Sequence, residues 1–265
     1  KYRPIPFWSW NEKLETDETK WQIDQMDQVG IGGYIMHARG GLQTEYMGKE
    51  WMGNIKVGIR EGTSRHMQAW GYDENGWPSG FGSGLVNGMG IEYQQKYLRC
   101  EVVSEYKKTQ RTIDVVPHGD MYIHTYYEVN PFYVDTLDAK VTRKFLEKIY
   151  EEYREELGSE LKDMAGFFTD EPQISRDGIP WSFILPKEYK DRYGEELIPL
   201  LPCLFLEIGN WERVRYRFWS LVRDLFADNY MKQIYDWCNE NKVQLTGHMV
   251  LEESMHSQLV STGAC

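Results

Sequence analysis

Short apolar runs alternate with helical patterns along the chain. Five runs have the length and composition of buried strands, and they cover residues 4–10, 31–41, 67–76, 164–172 and 243–249. Amphipathic helical patterns stand between them, over about 16–29, about 48–64, 141–157 and about 211–240. Apolar residues that recur at three- and four-residue spacing predict helices with one buried stripe. Strands of buried type that alternate with such helices are typical of parallel β/α units.

An insertion of roughly 91–138 separates the third and fourth predicted strands. It contains "RTIDVV" at 111–116 and "MYIHTYYEV" at 121–129, joined by "PHGD". This arrangement predicts a β-hairpin with a four-residue turn. A second polar stretch, 183–202, decorates the loop after the fourth strand.

Composition narrows the classes of function. The 265 residues are 41% hydrophobic, which suffices for a substantial core, and the net charge of −11 argues against nucleic acid as a partner. No apolar run approaches the ~20 residues that span a bilayer. The four cysteines show no Cys-x-x-Cys spacing, which disfavours a structural zinc site. Ten tryptophans fit either core packing or the flat faces of a sugar-binding cleft.

Polar or aromatic side chains follow every apolar run. They are Ser9, Trp10 and Asn11 after the first run, His37 and Arg39 after the second, Asp73, Glu74, Asn75 and Trp77 after the third, Asp170 and Glu171 after the fourth, and His248 and Glu252 after the fifth. In a β/α barrel the catalytic groups converge from the carboxyl ends of different strands. The repetition at five strand ends therefore predicts one shared site.

Each of these groups also has an ordinary structural explanation. The segment 73–76 contains good turn residues, and the glycine-rich stretch 77–90 predicts a flexible or closely approached loop. His37 and Arg39 could form a hydrogen-bonded pair in the core. Glu252 could be an acidic residue at the start of a helix. Sequence patterns alone leave these alternatives open.

Four stretches together resemble a known family of enzymes. They are "RPIPFWSWN" at 3–11, "GIGGYIMHARGGL" at 30–42, "YDENGWPSG" at 72–80 and "FFTDEP" at 167–172. They are similar to the catalytic barrel of the α-L-rhamnosidase-like glycoside hydrolases, namely glycoside hydrolase family 106 and its relatives. The resemblance implies a (β/α)8 TIM barrel that hydrolyses a glycosidic bond. The family is associated with inversion of the anomeric configuration and with calcium at the sugar site.

The resemblance also assigns roles to residues. It implies a general acid at the end of the fourth strand, which is Glu171, and Asp170 stands where related barrels often carry asparagine. Glycoside hydrolysis requires a protonated carboxylic acid and a second carboxylate. The apolar neighbours of Glu171 favour its protonated form. Glu252 is the candidate base, with Asp73 and Glu74 in reserve.

The remaining predicted site residues contact the sugar. Trp8, Trp10 and Trp77 would stack on sugar faces, and His37, Arg39 and His248 would hold hydroxyl groups. The other predicted substrate-binding residues are Asn11, Asp73, Glu74 and Asp170. An oligosaccharide or polysaccharide is the expected substrate, and the sequence requires no cofactor.

Five strand-type segments are fewer than the eight of a complete barrel. We therefore expect residues 1–265 to form a partial catalytic barrel, truncated after about five β/α units, whose unclosed edge could support self-association. One alternative is a non-catalytic carbohydrate-binding barrel, or an inactive fragment of such an enzyme. Another is a metal-dependent hydrolase that uses His37, His248 and Asp73, although no His-x-His or His-Glu-x-x-His spacing supports it.

Overall fold

The computed structural model describes residues 2–175, 178–251 and 253–257, within which the chain forms nine strands and seven α-helices. The strands are β1 (Phe7–Trp10), β2 (Gly33–Ala38), β3 (Gln68–Asn75), β4 (Gln94–Val103), β5 (Thr112–His118), β6 (Met121–Val134), β7 (Gly166–Asp170), β8 (Ile179–Trp181) and β9 (Gln244–His248). The helices are α1 (Thr16–Gln28), α2 (Lys49–Ser64), α3 (Ala139–Phe145), α4 (Glu151–Leu157), α5 (Leu185–Tyr193), α6 (Trp211–Phe226) and α7 (Lys232–Glu240).

The described residues divide into two compact units. The first takes the chain up to Val86, Thr142–Pro172 and Lys232–Val250, and the second takes Asn87–Val141, Gln173–Met231 and the described residues after Val250. No helix of the described residues is both long and apolar enough to cross a membrane.

The first unit is built on a parallel sheet. Its strand order is β1-β2-β3-β7-β9, and every neighbouring pair is parallel. The order follows the chain, as in a β/α barrel, and does not reverse as in a doubly wound sheet. All five predicted strands are confirmed, with shorter bounds. The sheet is open within the described residues, so the structure shows a parallel α/β sheet and not a closed barrel.

Two further predictions of the sequence concern the whole chain. The open sheet has β1 and β9 as its edge strands within the described residues. Self-association through such an edge stays a prediction, and so does the assignment of residues 1–265 to one partial barrel domain.

Buried stripes explain the helices that cover this sheet. In α2 the side chains of Trp51, Ile55 and Ile59 recur every four residues, and all three are buried. The predicted helix 141–157 is likewise confirmed, although a π-helical turn, Leu146–Tyr150, divides it into α3 and α4. A similar turn, Ala227–Met231, separates α6 from α7.

Ring contacts show that the parallel sheet is strongly curved. In a flat sheet, four strand spacings of ~4.8 Å would separate β1 from β9 by about 19 Å. The rings of Phe7 on β1 and His248 on β9 nevertheless lie 6.1 Å apart. The sheet therefore curls toward this side, which we call the concave face. An apolar cluster of Ile35, Trp70, Tyr72 and Phe168 lies on it.

The second unit contains an antiparallel sheet in the order β5-β6-β4-β8. The predicted hairpin is confirmed as β5 and β6, but its turn has two residues instead of four, because His118 pairs directly with Met121. Gly119 occupies the turn with φ of +61°, a conformation that favours glycine. The sequence did not predict β4, whose mixed polar pattern is paired along its whole length with β6.

Candidate active site

The segment "FFTDEP" begins as a buried strand and ends in an unusual backbone conformation. Phe167 packs toward the helices, with its ring 4.5 Å from that of Tyr150. Phe168 faces the concave side, where its ring lies 4.8 Å from that of Phe7. At Glu171 the backbone turns into the left-handed region, with φ of +47°. Such a conformation costs a non-glycine residue about 1–3 kcal/mol and is often found at functional sites.

Two neighbouring strands converge on Asp170. The hydroxyl of Tyr72, on β3, donates a hydrogen bond of 2.8 Å to Asp170 Oδ2. The Nδ1 atom of His248, on β9, lies 3.3 Å from Asp170 Oδ1. Asp170 and His248, two of the predicted site residues, therefore lie together at the carboxyl ends of adjacent strands.

Glu171 lies beside this pair and is held from the loop that follows β3. The indole Nε1 of Trp77 donates a hydrogen bond of 2.9 Å to Glu171 Oε2. The Glu171 amide donates to the carbonyl of His248 at 3.0 Å. Glu171 and Trp77, which the sequence places 94 residues apart, thus meet at the same end of the sheet.

His37 is buried on the concave face. Its ring stacks on that of Tyr72, with 3.5 Å between the centroids, and lies 5.5 Å from the ring of Phe7. Burial, with a smaller effect of Arg39, lowers the pKa of His37 to about 4, against a hydrogen bond to the backbone of Gly76. The ring is therefore neutral near pH 7. Its Nε2 atom is buried and has no hydrogen-bond partner among the described residues.

Asp73 takes a different position from the one that the sequence suggested. Its side chain is fully buried and accepts hydrogen bonds from Ser79 Oγ at 2.5 Å and from the Tyr150 hydroxyl at 2.7 Å. Burial raises the pKa of Asp73 to about 6, and the bonds from Ser79 and Tyr150 oppose that rise. Strand alternation turns Asp73 toward the helices, whereas Tyr72 faces the concave side.

Glu74 is also enclosed. Backbone amides surround its carboxylate, and the donors are those of Asn75, Gly80, Gly82 and Ser83. Burial raises the pKa of Glu74 to about 7, and the amides of Ser83, Asn75 and Gly82 lower it. The predicted sugar contacts and reserve-base roles of Asp73 and Glu74 are thus corrected, because the protein itself occupies these carboxylates.

Trp8 and Trp10 do not lie on the concave face. The Nε1 atom of Trp8 donates to Gln22 Oε1 on α1 at 2.7 Å, and the ring of Trp10 lies 5.0 Å from that of Trp51 on α2. Alternation along β1 assigns the concave face to Phe7, so the prediction that both tryptophans join the shared site is corrected. With Asn11, they border a cleft of about 220 Å³ beside α1.

Asn11 and Arg39 are exposed in the loops after β1 and β2. The Arg39 amide donates to the carbonyl of Trp10 at 3.0 Å. Gly41, with φ of +104°, approaches the Asn11 carbonyl so closely that a Cβ atom would lie 2.7 Å from its oxygen. The two loops are therefore adjacent. Glu252 lies outside the described residues.

Three residues of this region were not predicted from the sequence. Phe7 and Tyr72 contribute rings to the concave face, and Ser79 binds Asp73. Alternation offers a signal for Tyr72, because it stands two residues after Trp70 in the same strand. Ser79 had no such signal, since it belongs to an irregular glycine-rich loop.

Calcium at the sugar site stays a prediction. Calcium takes six to eight oxygen ligands, and no group of three or more His, Cys, Asp or Glu side chains suited to a metal occurs in the described part of the chain. Tyr72 and His248 contact the oxygens of Asp170. The metal-hydrolase alternative is disfavoured, because the Asp73 side chain faces the helices, whereas His37 lies on the concave face.

Comparison with known proteins supports the fold. No protein-family model matches the chain, and no curated protein matches it. Among solved structures it is similar to a rhamnosidase from Novosphingobium sp. PP1Y, with a TM-score of 0.66, 12% sequence identity, and coverage of 97% of this chain and 47% of that one. This chain therefore spans about half the length of that protein. At this identity the similarity concerns the fold alone, and the chain has a parallel α/β fold similar to that of a rhamnosidase.

Proposed function

We propose that the chain carries the acid-catalytic part of a glycoside hydrolase that cleaves α-L-rhamnosides or related deoxysugar linkages. The observation that carries this proposal is the position of Glu171, in a left-handed conformation at the carboxyl end of β7 and beside Asp170 and His248. Carboxylates at this end of parallel strands are typical of barrel enzymes. The similarity of the fold to a rhamnosidase supports the same conclusion.

In this mechanism Glu171 is the general acid. It would donate a proton to the glycosidic oxygen as the bond to the anomeric carbon breaks. The indole of Trp77 orients the carboxyl group through its hydrogen bond to Oε2. His37 and His248 would bind sugar hydroxyls from β2 and β9, the strands that lie on either side of β3 and β7.

The second carboxylate is proposed to be Glu252, four residues after the end of β9. In an inverting reaction it would activate water on the opposite side of the sugar. The two carboxyl groups would then stand about 6.5–9.5 Å apart, as opposed to about 5–5.5 Å in a retaining enzyme.

The decisive experiment measures hydrolysis of aryl α-L-rhamnosides by the complete protein. We expect Glu171→Gln to lower kcat roughly 10²- to 10⁴-fold, the usual contribution of a positioned acid. The loss should be smaller for a dinitrophenyl rhamnoside, because its leaving group needs little protonation. Glu155→Gln, an exposed change on α4, is the matched control and should keep full activity.

Two results would contradict the proposal in different ways. Undiminished hydrolysis in both Glu171→Gln and Glu252→Gln would show that the site is assigned to the wrong residues. Binding of rhamnose without hydrolysis of any aryl rhamnoside would instead identify a non-catalytic carbohydrate-binding barrel.

A further inference from the structure

The carboxylate of Glu74 is bound entirely by backbone amides. Its Oε1 accepts from Asn75 at 2.9 Å and from Ser83 at 2.5 Å, while Oε2 accepts from Gly80 at 3.2 Å and from Gly82 at 2.7 Å. Among the described residues, no lysine, arginine or histidine forms an ion pair with it. Three of these four donors belong to residues 76–83, which we call the anchored loop, and they hold it against the end of β3.

A second set of contacts ties the anchored loop to β7. The Ser79 hydroxyl donates to Asp73 and accepts a hydrogen bond of 2.7 Å from the amide of Asp170. The Ser79 amide donates to the carbonyl of Asp170 at 2.8 Å. The loop is therefore bound to β3 and β7, two of the three strands whose ends form the candidate site.

Trp77 stands between these attachments. Asn75, on one side of it, and Gly80, on the other, both donate to Glu74. The indole of Trp77 in turn donates to Glu171. Hydrogen bonds therefore connect Glu74 to the anchored loop, and the Trp77 indole of that loop to Glu171. All of these residues belong to the first unit.

We propose that Glu74 is a positioning residue, which holds the Trp77 indole against Glu171 and thereby sets the proton affinity of that carboxyl group. A hydrogen bond from the indole stabilises the ionised form of a carboxylate. The catalytic meaning of this contact rests on the proposed function of Glu171, but the contact itself does not.

A carboxylate is required here because all of its neighbours are donors. Glutamine has nearly the same volume, but its amide nitrogen would point N–H groups at the N–H groups of the loop. Glu74→Gln should therefore displace the anchored loop without creating a cavity. Glu74→Asp keeps the charge but is one methylene shorter, and it should displace the loop less.

The test follows the indole N–H resonance of Trp77 by NMR across a pH titration. The resonance is assigned by its loss in Trp77→Phe, and its dependence on Glu171 by the change of its titration in Glu171→Gln. We expect Glu74→Gln to shift the resonance and to weaken that titration, whereas the control Glu155→Gln leaves both as in the parent. An unchanged resonance and titration in Glu74→Gln overturns the proposal.

A second variant and a kinetic measurement distinguish failure of this proposal from failure of the proposed function. If Glu74→Gln does not fold, Glu74→Asp takes its place, and an unchanged resonance in that variant overturns the proposal equally. In the active enzyme, Trp77→Phe and Glu74→Gln should each move the alkaline limb of the kcat/KM profile to higher pH, and the double variant should move it no further than Trp77→Phe alone. Additive displacements of the alkaline limb would contradict positioning through Trp77.

If Glu171→Gln retains hydrolysis, the proposed function fails, and the NMR titration still decides the role of Glu74.

Discussion

The two units bury polar groups in different ways. In the second unit the ammonium of Lys96 lies 3.2 Å from Asp135 Oδ2 and 4.6 Å from the centre of the Phe183 ring. His124 in the same unit contacts Glu101 through Nδ1 and Thr112 through Nε2. In the first unit Asp73 and Glu74 are bound by hydroxyls and amides, and His37 stacks on Tyr72.

This contrast concerns the partners that each unit provides for its buried polar groups. A buried charge that is paired with an opposite charge has part of its desolvation cost offset by its partner, and removal of that partner leaves the charge uncompensated. A buried group with neutral neighbours keeps a perturbed proton affinity, which is common where a protein performs chemistry. Burial also raises the pKa of Asp135, although Lys96 opposes the rise, so the two units differ in the partners of their buried groups and not in whether burial perturbs proton affinity.

The largest effect is expected from breaking the ion pair of the second unit. Lys96→Met leaves Asp135 buried and uncompensated, and such changes cost about 3–5 kcal/mol. Urea denaturation should show this loss in the free energy of unfolding. The double variant Lys96→Met/Asp135→Asn removes both charges and should recover a large part of it. If Lys96→Met is as stable as the parent, Asp135 does not depend on an opposite charge, and the contrast between the partners of buried groups in the two units is wrong.

A smaller, pH-dependent effect is expected at His37. Its pKa is lowered from 6.5 to about 4 in the folded state, so the unfolded state binds more protons between these values, and stability falls as pH falls through this window. At 1.36 kcal/mol per pH unit the loss is at most about 3 kcal/mol. His37→Phe keeps the stacking on Tyr72 and should remove this contribution. Denaturation midpoints of both proteins at pH 4.5 and pH 7 provide the measurement.

The smallest effect is expected at the half-exposed partner of His124. Glu101 is 46% exposed, and a side-chain contact with such solvent access contributes at most about 1 kcal/mol. Glu101→Gln should therefore lower the free energy of unfolding only slightly. A loss as large as that of Lys96→Met would show that exposure does not govern pairing in this unit.

Residue patterns predicted the elements of the first unit well. Apolar runs identified all five parallel strands, and the spacing of Trp51, Ile55 and Ile59 identified α2. The strand-end position of Asp170 and Glu171 was also predicted correctly. These features depend on local periodicity, which a chain carries in its own order of residues.

The direction of each side chain was harder to predict. Trp10 and Asp73 were expected at the shared site, but both face helices. A displacement of one residue along a strand moves a side chain to the opposite face of the sheet. The exact pairing of β1 and β3 with their neighbours therefore decides which residues meet.

By itself, the order of residues determined which segments become parallel strands and helices. It also placed Asp170 and Glu171 at the carboxyl end of the strand that is β7 in the structure. Only the tertiary structure decided that Trp77 reaches Glu171, that Asp170 meets His248, and that Glu74 binds a loop instead of a ligand. The physical reason is that these contacts join groups far apart in the chain, whose distances depend on sheet curvature and loop conformation and not on local periodicity.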